Sequence, residues 1–513
     1  MMRIADTLEL QIGQMCYVGF EGLTAPDYLL DWLRSGRVGG VILFARNVES
    51  PAQVAALTDS LQAAAPYGVI ISIDQEGGTV ARLRDGFTES PGAMALSSAQ
   101  DAESFTERVS HMLATELRAL GIHWDYAPAV DISYNAANPS VGTRSFGSDA
   151  ARVSRLGAAA IRGFQSAGVA ASPKHFPGLG NTPIDTHLDL PVLDTPVEHL
   201  LTHDLEPYRA AIAANTASIM LTHVMYSALD PDHPVTVSPV VAQRLIRGEL
   251  GYDGIVTTDC MEMQAVADRY GAGESAVLAA LAGIDALLFS HTPSRQAECY
   301  EALLAAARSG RLPLAVVETA NRRLAAFKQA WLKPRADLSI IRAPDHLALA
   351  SEAAQAGTTL LRSGAALPLR GNVTVIEFPS IFDSGILESG GLSGFSRLLT
   401  TRLPSVRVHV VREDTPPESL VEAARDAETL VLATRNAHLN AATLALCQSI
   451  MASAERAVLV CLRNPYDAGT LGAGADSIVC TCGDSAPSLE AAVGALLGDY
   501  APTGTLPVEV HPA

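Results

Sequence analysis

The chain has 513 residues, of which 48% are hydrophobic and only 18% are charged, and its formal net charge is −19. This composition is typical of a well-buried α/β protein of two or three domains and excludes extended disorder. The negative charge argues against nucleic acid and anionic membrane surfaces as partners. An anionic substrate would need a locally basic pocket.

The N-terminal segment and the cysteines indicate a cytoplasmic location. Residues 1–15 lack the uninterrupted apolar run of a secretory signal, and no window of about 18 uncharged apolar residues predicts a transmembrane helix. The seven cysteines are scattered and odd in number, as expected of reduced thiols. Cys480 and Cys482 could in principle bind a metal, but the run SIVCTC favours a strand in which both pack as small hydrophobic side chains. We therefore expect neither a metal nor a cofactor.

Up to about residue 335, short apolar runs alternate with longer segments of helical period. Strands are predicted at residues 14–20, 40–44, 68–74, 123–129, 169–175, 218–224, 254–259 and 286–290. Helices are predicted between them, for example at residues 104–120, 151–167 and 239–250. Eight such alternations are typical of a (β/α)8 TIM-type barrel. No G-x-G-x-x-G follows the first strand, which disfavours an open dinucleotide-binding sheet.

Residues 335–348 interrupt this alternation of strands and helices and are expected to form a linker. Beyond them, strands alternating with helices are predicted at residues 373–378, 406–411, 429–434, 457–462 and 476–481. This pattern predicts a smaller, parallel α/β three-layer sandwich over residues 349–513, after a catalytic barrel over residues 1–334.

The segment at residues 174–191, KHFPGLGNTPIDTHLDLP, is rich in titratable groups. A strand-like run leads directly into this Gly- and Pro-punctuated segment, which is how an α/β scaffold presents a catalytic site. Other predicted strands also end in polar residues: Asp74, Asp125, Asp131, His223, Asp259 and His291. Residues at these ends of barrel strands face the active site. We found no phosphate-binding loop, H-E-x-x-H or metal-ligand spacing, so we expect acid/base and nucleophilic chemistry.

The segment resembles the K-H-F-P-G-x-G-x(4)-D-[ST]-H-x(3)-P signature of family 3 glycoside hydrolases, in particular of their β-N-acetylglucosaminidase branch. Other segments similar to the family are IDQEGGTVARL, WDYAPAVDI, GTRSFGSD, IMLTHVMY, YDGIVTTDCMEM, GTTLLRSGAALPL, RNPYDAG and GTLPVEV. The resemblance implies a retaining exo-β-N-acetylglucosaminidase without a cofactor. Its substrate would be a small carbohydrate with terminal β-linked GlcNAc, derived from muropeptides or chitin.

The resemblance also implies roles for individual residues. Asp259 matches the nucleophile that forms a covalent glycosyl-enzyme intermediate, and His187 matches the general acid/base, with Asp185 as its partner. The residues expected to bind the terminal sugar or line the pocket are Asp74, Arg82, Arg144, Lys174, His175, His223 and Met225. Two positions depart from the family pattern: Leu179 stands where many members have His, and Cys260 where this branch commonly has Asp.

Other functions remain compatible with the sequence. A neutral imidazole repels phosphate less than a carboxylate does. The pair of His187 and Asp185 could therefore support phosphorolysis to a sugar 1-phosphate. The scaffold could also belong to a non-catalytic sugar-binding protein, although the presence of Asp259, Asp185 and His187 together argues against that. A β-glucosidase is disfavoured, because that branch places its acid/base Glu in the second domain and lacks the D-T-H element. The sequence indicates neither the natural aglycone nor the oligomeric state.

Overall fold

A computed structural model describes residues 5–182, 190–378 and 394–510. Its first part contains eight strands that run parallel: β1 (Cys16–Val18), β2 (Gly40–Leu43), β3 (Ile70–Ile73), β4 (Trp124–Asp125), β5 (Ala170–Ala171), β6 (Ser218–Leu221), β7 (Ile255–Thr258) and β8 (Leu287–Phe289). They pair in the order β8-β1-β2-β3-β4-β5, while β6 pairs with β7. Isolated parallel bridges join Phe176 to Leu221 and Thr257 to Ala286.

Each of these strands lies within a range predicted from the sequence, but most are shorter than predicted. Their side chains are nearly all buried, which is why the strands read as continuous apolar runs rather than as alternating patterns. An α/β fold with parallel sheets is therefore confirmed. Two short pairs accompany the main strands: Gln75–Gly77 is antiparallel to Val80–Ala81, and Val192–Leu193 is parallel to Met225–Tyr226.

Helices separate the strands and share one hydrophobic core with them. The three helices predicted by position are observed at Ala102–Ala119, Ala150–Ser166 and Val240–Glu249. The others in this part are Leu8–Met15, Asp27–Arg34, Pro51–Ala64, Ala93–Ser98, Val197–His199 with the wider turn Leu200–Asp204, Glu206–Ala213, Gln264–Tyr270, Ala272–Ala282, Pro293–Arg308 and Leu314–Trp331. Asp149 caps one of them, since its Oδ1 accepts a 2.7 Å hydrogen bond from Arg152 N.

The second part of the chain contains a six-stranded sheet: β9 (Thr359–Arg362), β10 (Val373–Glu377), β11 (Arg407–Val410), β12 (Thr429–Thr434), β13 (Ala457–Cys461) and β14 (Ser477–Cys480). The order is β9-β14-β13-β12-β10-β11. The five predicted strands are parallel, but β9 was missed and runs antiparallel to β14. The expectation of an all-parallel sheet was therefore wrong at this edge, where Leu361 and Arg362 are exposed and the apolar signal is weak.

Side chains of the second sheet alternate between two hydrophobic cores. Leu430 and Leu432 belong to one core, while Val431 and Ala433, from the same strand, belong to the other. Helices cover both faces: Pro417–Arg425 and Ala441–Ser453 contribute to the first core, and Gly394–Arg402 and Ala486–Leu497 to the second. A short helix, Asp467–Leu471, follows β13.

The predicted linker is not entirely irregular, because the helix Pro344–Gly357 begins within it. Buried Glu116 ties this segment to the first part of the chain: its Oε1 accepts from Arg342 N at 3.0 Å and lies 2.8 Å from His346 Nδ1. The exact domain boundaries stay a prediction. The seven cysteines are free and buried. Among the described residues, no helix combines the length and the apolar character that crossing a membrane requires.

Candidate active site

A cavity of about 350 Å³ lies at the carboxyl ends of the parallel strands. Its wall includes Asp74 and Asp259, which directly follow β3 and β7, and Lys174 with His175, which lie shortly after β5. Six of the residues predicted from the sequence line it together: Asp74, Arg82, Arg144, Lys174, His175 and Asp259. A larger surface groove of about 910 Å³, beside the helices Ala102–Ala119 and Ala150–Ser166, contains none of them.

Asp259 is held at the end of β7 by its own backbone. Its N–H donates to Leu221 O at 3.2 Å, and its Oδ1 accepts a 2.7 Å hydrogen bond from Cys260 N. The carboxylate is partly exposed, whereas the four residues of β7 before it are buried. Burial raises the pKa of the Cys260 thiol to about 11, so the thiol is neutral near pH 7 and packs in the cavity wall.

Lys174 joins two carboxylates on the opposite part of the wall. Its Nζ lies 2.6 Å from Asp74 Oδ1 and 2.8 Å from Glu76 Oε1. Burial disfavours the ammonium ion, but the two carboxylates outweigh it and raise the pKa of Lys174. Lys174 therefore stays charged although its side chain is buried.

Arg144 completes this network from the loop that follows β4. Its Nη2 and Nε donate to Glu76 Oε1 and Oε2 at 2.7 and 2.9 Å, a bidentate pair. Burial opposes ionisation of Glu76, yet Arg144 and Lys174 lower the pKa of this carboxyl well below its usual range. Arg82 adds a further cation, with Nη2 3.4 Å from Asp74 Oδ2.

Asp131 orients the His175 ring through a contact with its Nδ1 atom. Its Nδ1 lies 2.8 Å from Asp131 Oδ2, while Asp131 Oδ1 accepts hydrogen bonds from His175 N and Leu179 N at 3.2 and 2.7 Å. The other ring nitrogen, Nε2, lies 3.3 Å from Arg144 Nη2. Leu179 uses its backbone here, so this contact does not depend on the side chain that departs from the family pattern.

The cavity therefore carries a carboxylate on one strand end and a fixed array of ammonium, guanidinium, imidazole and carboxylate groups on the others. Such groups hydrogen-bond to hydroxyl and carbonyl oxygens, while a partly exposed carboxylate can act as a nucleophile.

Comparison with known proteins agrees with this chemistry. Residues 7–327 match the family described as "Glycosyl hydrolase family 3 N terminal domain". A solved glycoside hydrolase family 3 β-N-acetylglucosaminidase from a Paenibacillus species is 36% identical, with a TM-score of 0.92 and 99% of each chain covered. The chain belongs to glycosyl hydrolase family 3. It is therefore a glycoside hydrolase.

Two curated relatives extend the comparison. Beta-hexosaminidase A of Pseudoalteromonas piscicida is 29% identical over 548 residues, which cover 95% of this chain and 92% of that protein. A beta-hexosaminidase of Stenotrophomonas maltophilia is 38% identical over 283 residues, which cover 54% of this chain and 83% of that protein. The similarity to the first of these thus includes both parts of this family 3 hydrolase.

Two other residues predicted to line the pocket, His223 and Met225, are not among the described residues that line the cavity. His223 is fully buried, with Nδ1 2.6 Å from Thr236 Oγ1 and Nε2 2.9 Å from Cys260 O. This imidazole thus supports the turn after Asp259. Met225 is buried in the short strand that pairs with Val192–Leu193.

Asp185 and His187 lie outside the described residues, as does the rest of the segment 183–189. Their expected roles in this family 3 hydrolase stay predictions from the sequence.

The sequence interpretation placed Asp131 and His291 at strand ends but gave neither a role. The spacing of Asp131 does not indicate that it orients His175, and nothing in the sequence indicates that Glu76 binds two cations.

The cavity wall also includes Phe44, Arg46 and Glu262, for which no role was predicted. Phe44 directly follows β2 and Arg46 lies two residues further on, so the rule applied to the other strand ends would have found both.

The second part of the chain contacts the loop that carries Arg144. Gly142 has a φ of +44°, and a Cβ placed there would lie 2.6 Å from Asn464 Oδ1. Gly147 has a φ of +137°, and a Cβ there would lie 2.5 Å from Pro507 O. Ser148 N also donates to Pro507 O at 3.1 Å. Glycine fits both positions because they combine a positive φ with a close neighbour.

Proposed function

We propose that this family 3 hydrolase is a retaining exo-β-N-acetylglucosaminidase that removes terminal β-linked GlcNAc. The observation that carries the proposal is the shared cavity of Asp259 and the network of Asp74, Glu76, Arg144 and Lys174. The Paenibacillus protein, which is similar over 99% of this chain, is a β-N-acetylglucosaminidase, and this supports the choice of sugar.

The proposed reaction has two steps. Asp259 attacks the anomeric carbon and forms a glycosyl ester, while His187 protonates the oxygen of the leaving group. The same imidazole, oriented by Asp185, then removes a proton from water, which attacks the anomeric carbon and releases Asp259. The two inversions give net retention of configuration.

The sugar itself is proposed to bind to Asp74, Arg82, Arg144, Lys174 and His175. The ion pairs between these groups hold their donors and acceptors in fixed directions, so little side-chain entropy is lost on binding. A volume of about 350 Å³ is near the lower end for small-molecule pockets and suits a single terminal sugar. This size supports exo-acting hydrolysis. His223 and Met225 are proposed to support this pocket from outside its described wall.

We further propose that the eight strands close into a (β/α)8 barrel over residues 1–334, followed by an α/β sandwich over residues 349–513. The bridges Phe176–Leu221 and Thr257–Ala286 support closure, because they connect the two groups of paired strands at both ends. The proposed location is the cytoplasm, with no nucleic acid or membrane as a partner. The free cysteines and the net charge of −19 support this location.

The decisive experiment is hydrolysis of a panel of aryl β-glycosides of GlcNAc, GalNAc, glucose and xylose, each with and without inorganic phosphate. We expect the GlcNAc substrate to react fastest, the released sugar to keep the β configuration, and phosphate to leave the rate unchanged. Formation of a sugar 1-phosphate would show that the enzyme catalyses phosphorolysis rather than hydrolysis. Binding of GlcNAc without turnover of any substrate would contradict catalysis altogether.

A further inference from the structure

Two histidines and an aspartate form a cluster outside the active-site cavity. His199 Nε2 lies 3.7 Å from Asp204 Oδ1, and His203 Nδ1 lies 2.9 Å from the same oxygen. One ligand atom of each of the three side chains lies within 4.8 Å of the others. The two imidazole rings stack, with centroids 4.6 Å apart.

Local backbone geometry explains this arrangement. His199 and His203 are four residues apart on consecutive helical turns, so they share one face. Between them the helix widens, because Leu205 N donates to Leu200 O, five residues earlier, at 2.9 Å. Such widened turns occur frequently at functional sites. The edge of the Tyr134 ring packs against both imidazoles, at centroid distances of 6.1 and 5.7 Å.

Asp204 is a buried carboxylate without a permanent cation beside it. Its side chain is only 6% exposed, and its ion-pair partners among the described residues are the two imidazoles rather than a lysine or an arginine. The Tyr134 hydroxyl donates to both carboxylate oxygens at 3.4 Å. A bound cation would give this buried carboxylate a full positive charge as its partner, in addition to the two imidazoles.

We propose that His199, His203 and Asp204 form a binding site for a divalent transition-metal ion, with Zn²⁺ as the best match. Two imidazole nitrogens and a carboxylate oxygen are ligands that Zn²⁺ accepts in proteins. Tetrahedral ligands at usual zinc bond lengths stand about 3.4 Å apart. The two histidine–aspartate separations are 3.7 and 2.9 Å, and the three ligand atoms all lie within 4.8 Å of one another, so side-chain shifts of about 1 Å would bring them to this spacing. The fourth position would hold water, because His199 and His203 are 44% and 32% exposed on this side.

The site would stiffen the structure beside Gly178 rather than take part in hydrolysis. Asp204 Cβ lies 3.8 Å from the position of a Cβ built on Gly178, in the segment that continues from Lys174 and His175. The ion would thus fix the helix Val197–His199 and the following turn against Tyr134.

The test is zinc binding by the full-length, tag-free, chelator-treated protein. Isothermal titration with Zn²⁺ should give one site per chain, and Co²⁺ should show visible ligand-field absorption. His199→Ala and His203→Ala should each weaken zinc binding at least about tenfold, since losing even an indirect partner of a metal commonly costs that much. Asp204→Asn should weaken it as well. Zinc should raise the melting temperature of the wild type but not of the double histidine variant.

The matched control is His233→Ala. His233 also lies beside a carboxylate, with Nδ1 3.3 Å from Asp230 Oδ2, but it belongs to no described cluster of three ligands. Its removal should leave the zinc affinity unchanged. Unchanged affinity in the His199→Ala, His203→Ala double variant would overturn the proposal, as would a wild type that binds no zinc. Neither result would affect the assignment of the glycosidase activity, which is measured separately.

Discussion

Glu76 accepts both hydrogen bonds of the Arg144 guanidinium fork, at 2.7 and 2.9 Å, and is 2.8 Å from the Lys174 ammonium group. The three side chains are only 3 to 6% exposed. One carboxylate therefore holds two buried cations that would otherwise repel each other in the cavity wall. Removing its charge should affect both stability and substrate binding.

Glu76→Gln keeps the shape of the side chain but leaves two buried cations under-compensated. We expect it to reduce the free energy of unfolding by about 3–5 kcal/mol and to raise KM for the aryl GlcNAc substrate. Denaturant unfolding and steady-state kinetics measure the two effects. The control is Glu89→Gln, which breaks the half-buried 3.0 Å pair with Arg84 and should cost about 0–1 kcal/mol. Equal losses in the two variants would show that Glu76 has no special structural role.

Asp259→Asn should lower kcat for the aryl GlcNAc substrate at least about 10³-fold, because the amide cannot form the glycosyl ester. Since the substitution only replaces one carboxylate oxygen with an amide group of similar size, the melting temperature should stay close to that of the wild type. The exposed Asp232→Asn variant serves as the control and should retain full activity. Unimpaired turnover by Asp259→Asn would rule out Asp259 as the nucleophile.

His187→Ala should harm substrates with poor leaving groups far more than activated ones, because only poor leaving groups need protonation. The measurement is the dependence of kcat/KM on the pKa of the leaving phenol, for the wild type and the variant. The dependence should become steeper in the variant, and Asp185→Asn should change it in the same direction. Equal losses across the series would argue against a general-acid role.

The buried side chain of Lys328 should make the stability of the protein depend on pH. Its ammonium group is buried and donates to Gly68 O at 2.6 Å, and burial lowers its pKa from 10.5 to about 7. Between these values the unfolded chain binds a proton that the folded chain lacks, so Lys328 contributes stability that grows as the pH rises from about 7 towards 10.5.

Lys328→Met should remove this contribution. The melting temperature of the wild type minus that of the variant should therefore increase as the pH rises through this range. The exposed Lys333→Met variant should show a constant difference instead. A pH-independent difference for Lys328→Met would contradict the proposed depression of its pKa.

The sequence was sufficient for the elements and for much of the cavity wall. Continuous apolar runs revealed the parallel strands, and the polar residues after them, such as Asp74, Lys174 and Asp259, lie in one cavity because parallel strands end on the same side. The pairing of Glu76 with Arg144 could not be predicted, since it joins side chains 68 positions apart whose directions depend on loop geometry. The hydrogen bonds of His223 with Thr236 and Cys260 could not be predicted for the same reason.

The cluster of His199, His203 and Asp204 was not predicted for a different reason. The sequence interpretation found no metal-ligand spacing and gave these three residues no role. The four-residue separation of His199 and His203 is visible in the sequence, but the widened turn that brings Asp204 to the same point is not. The β9 edge strand was missed because half of its residues face solvent.

The contacts of Gly142 with Asn464 and of Gly147 with Pro507 have a consequence for biosynthesis. The ribosome completes Asp259, the proposed nucleophile, well before it adds Asn464 and Pro507, the neighbours that shape the Arg144 loop. We therefore expect hydrolytic activity to appear only after Pro507 has emerged, which a series of nascent chains of increasing length would time. A fragment that ends between residues 334 and 464 would contain Asp259 but lack both of these contacts with the Arg144 loop.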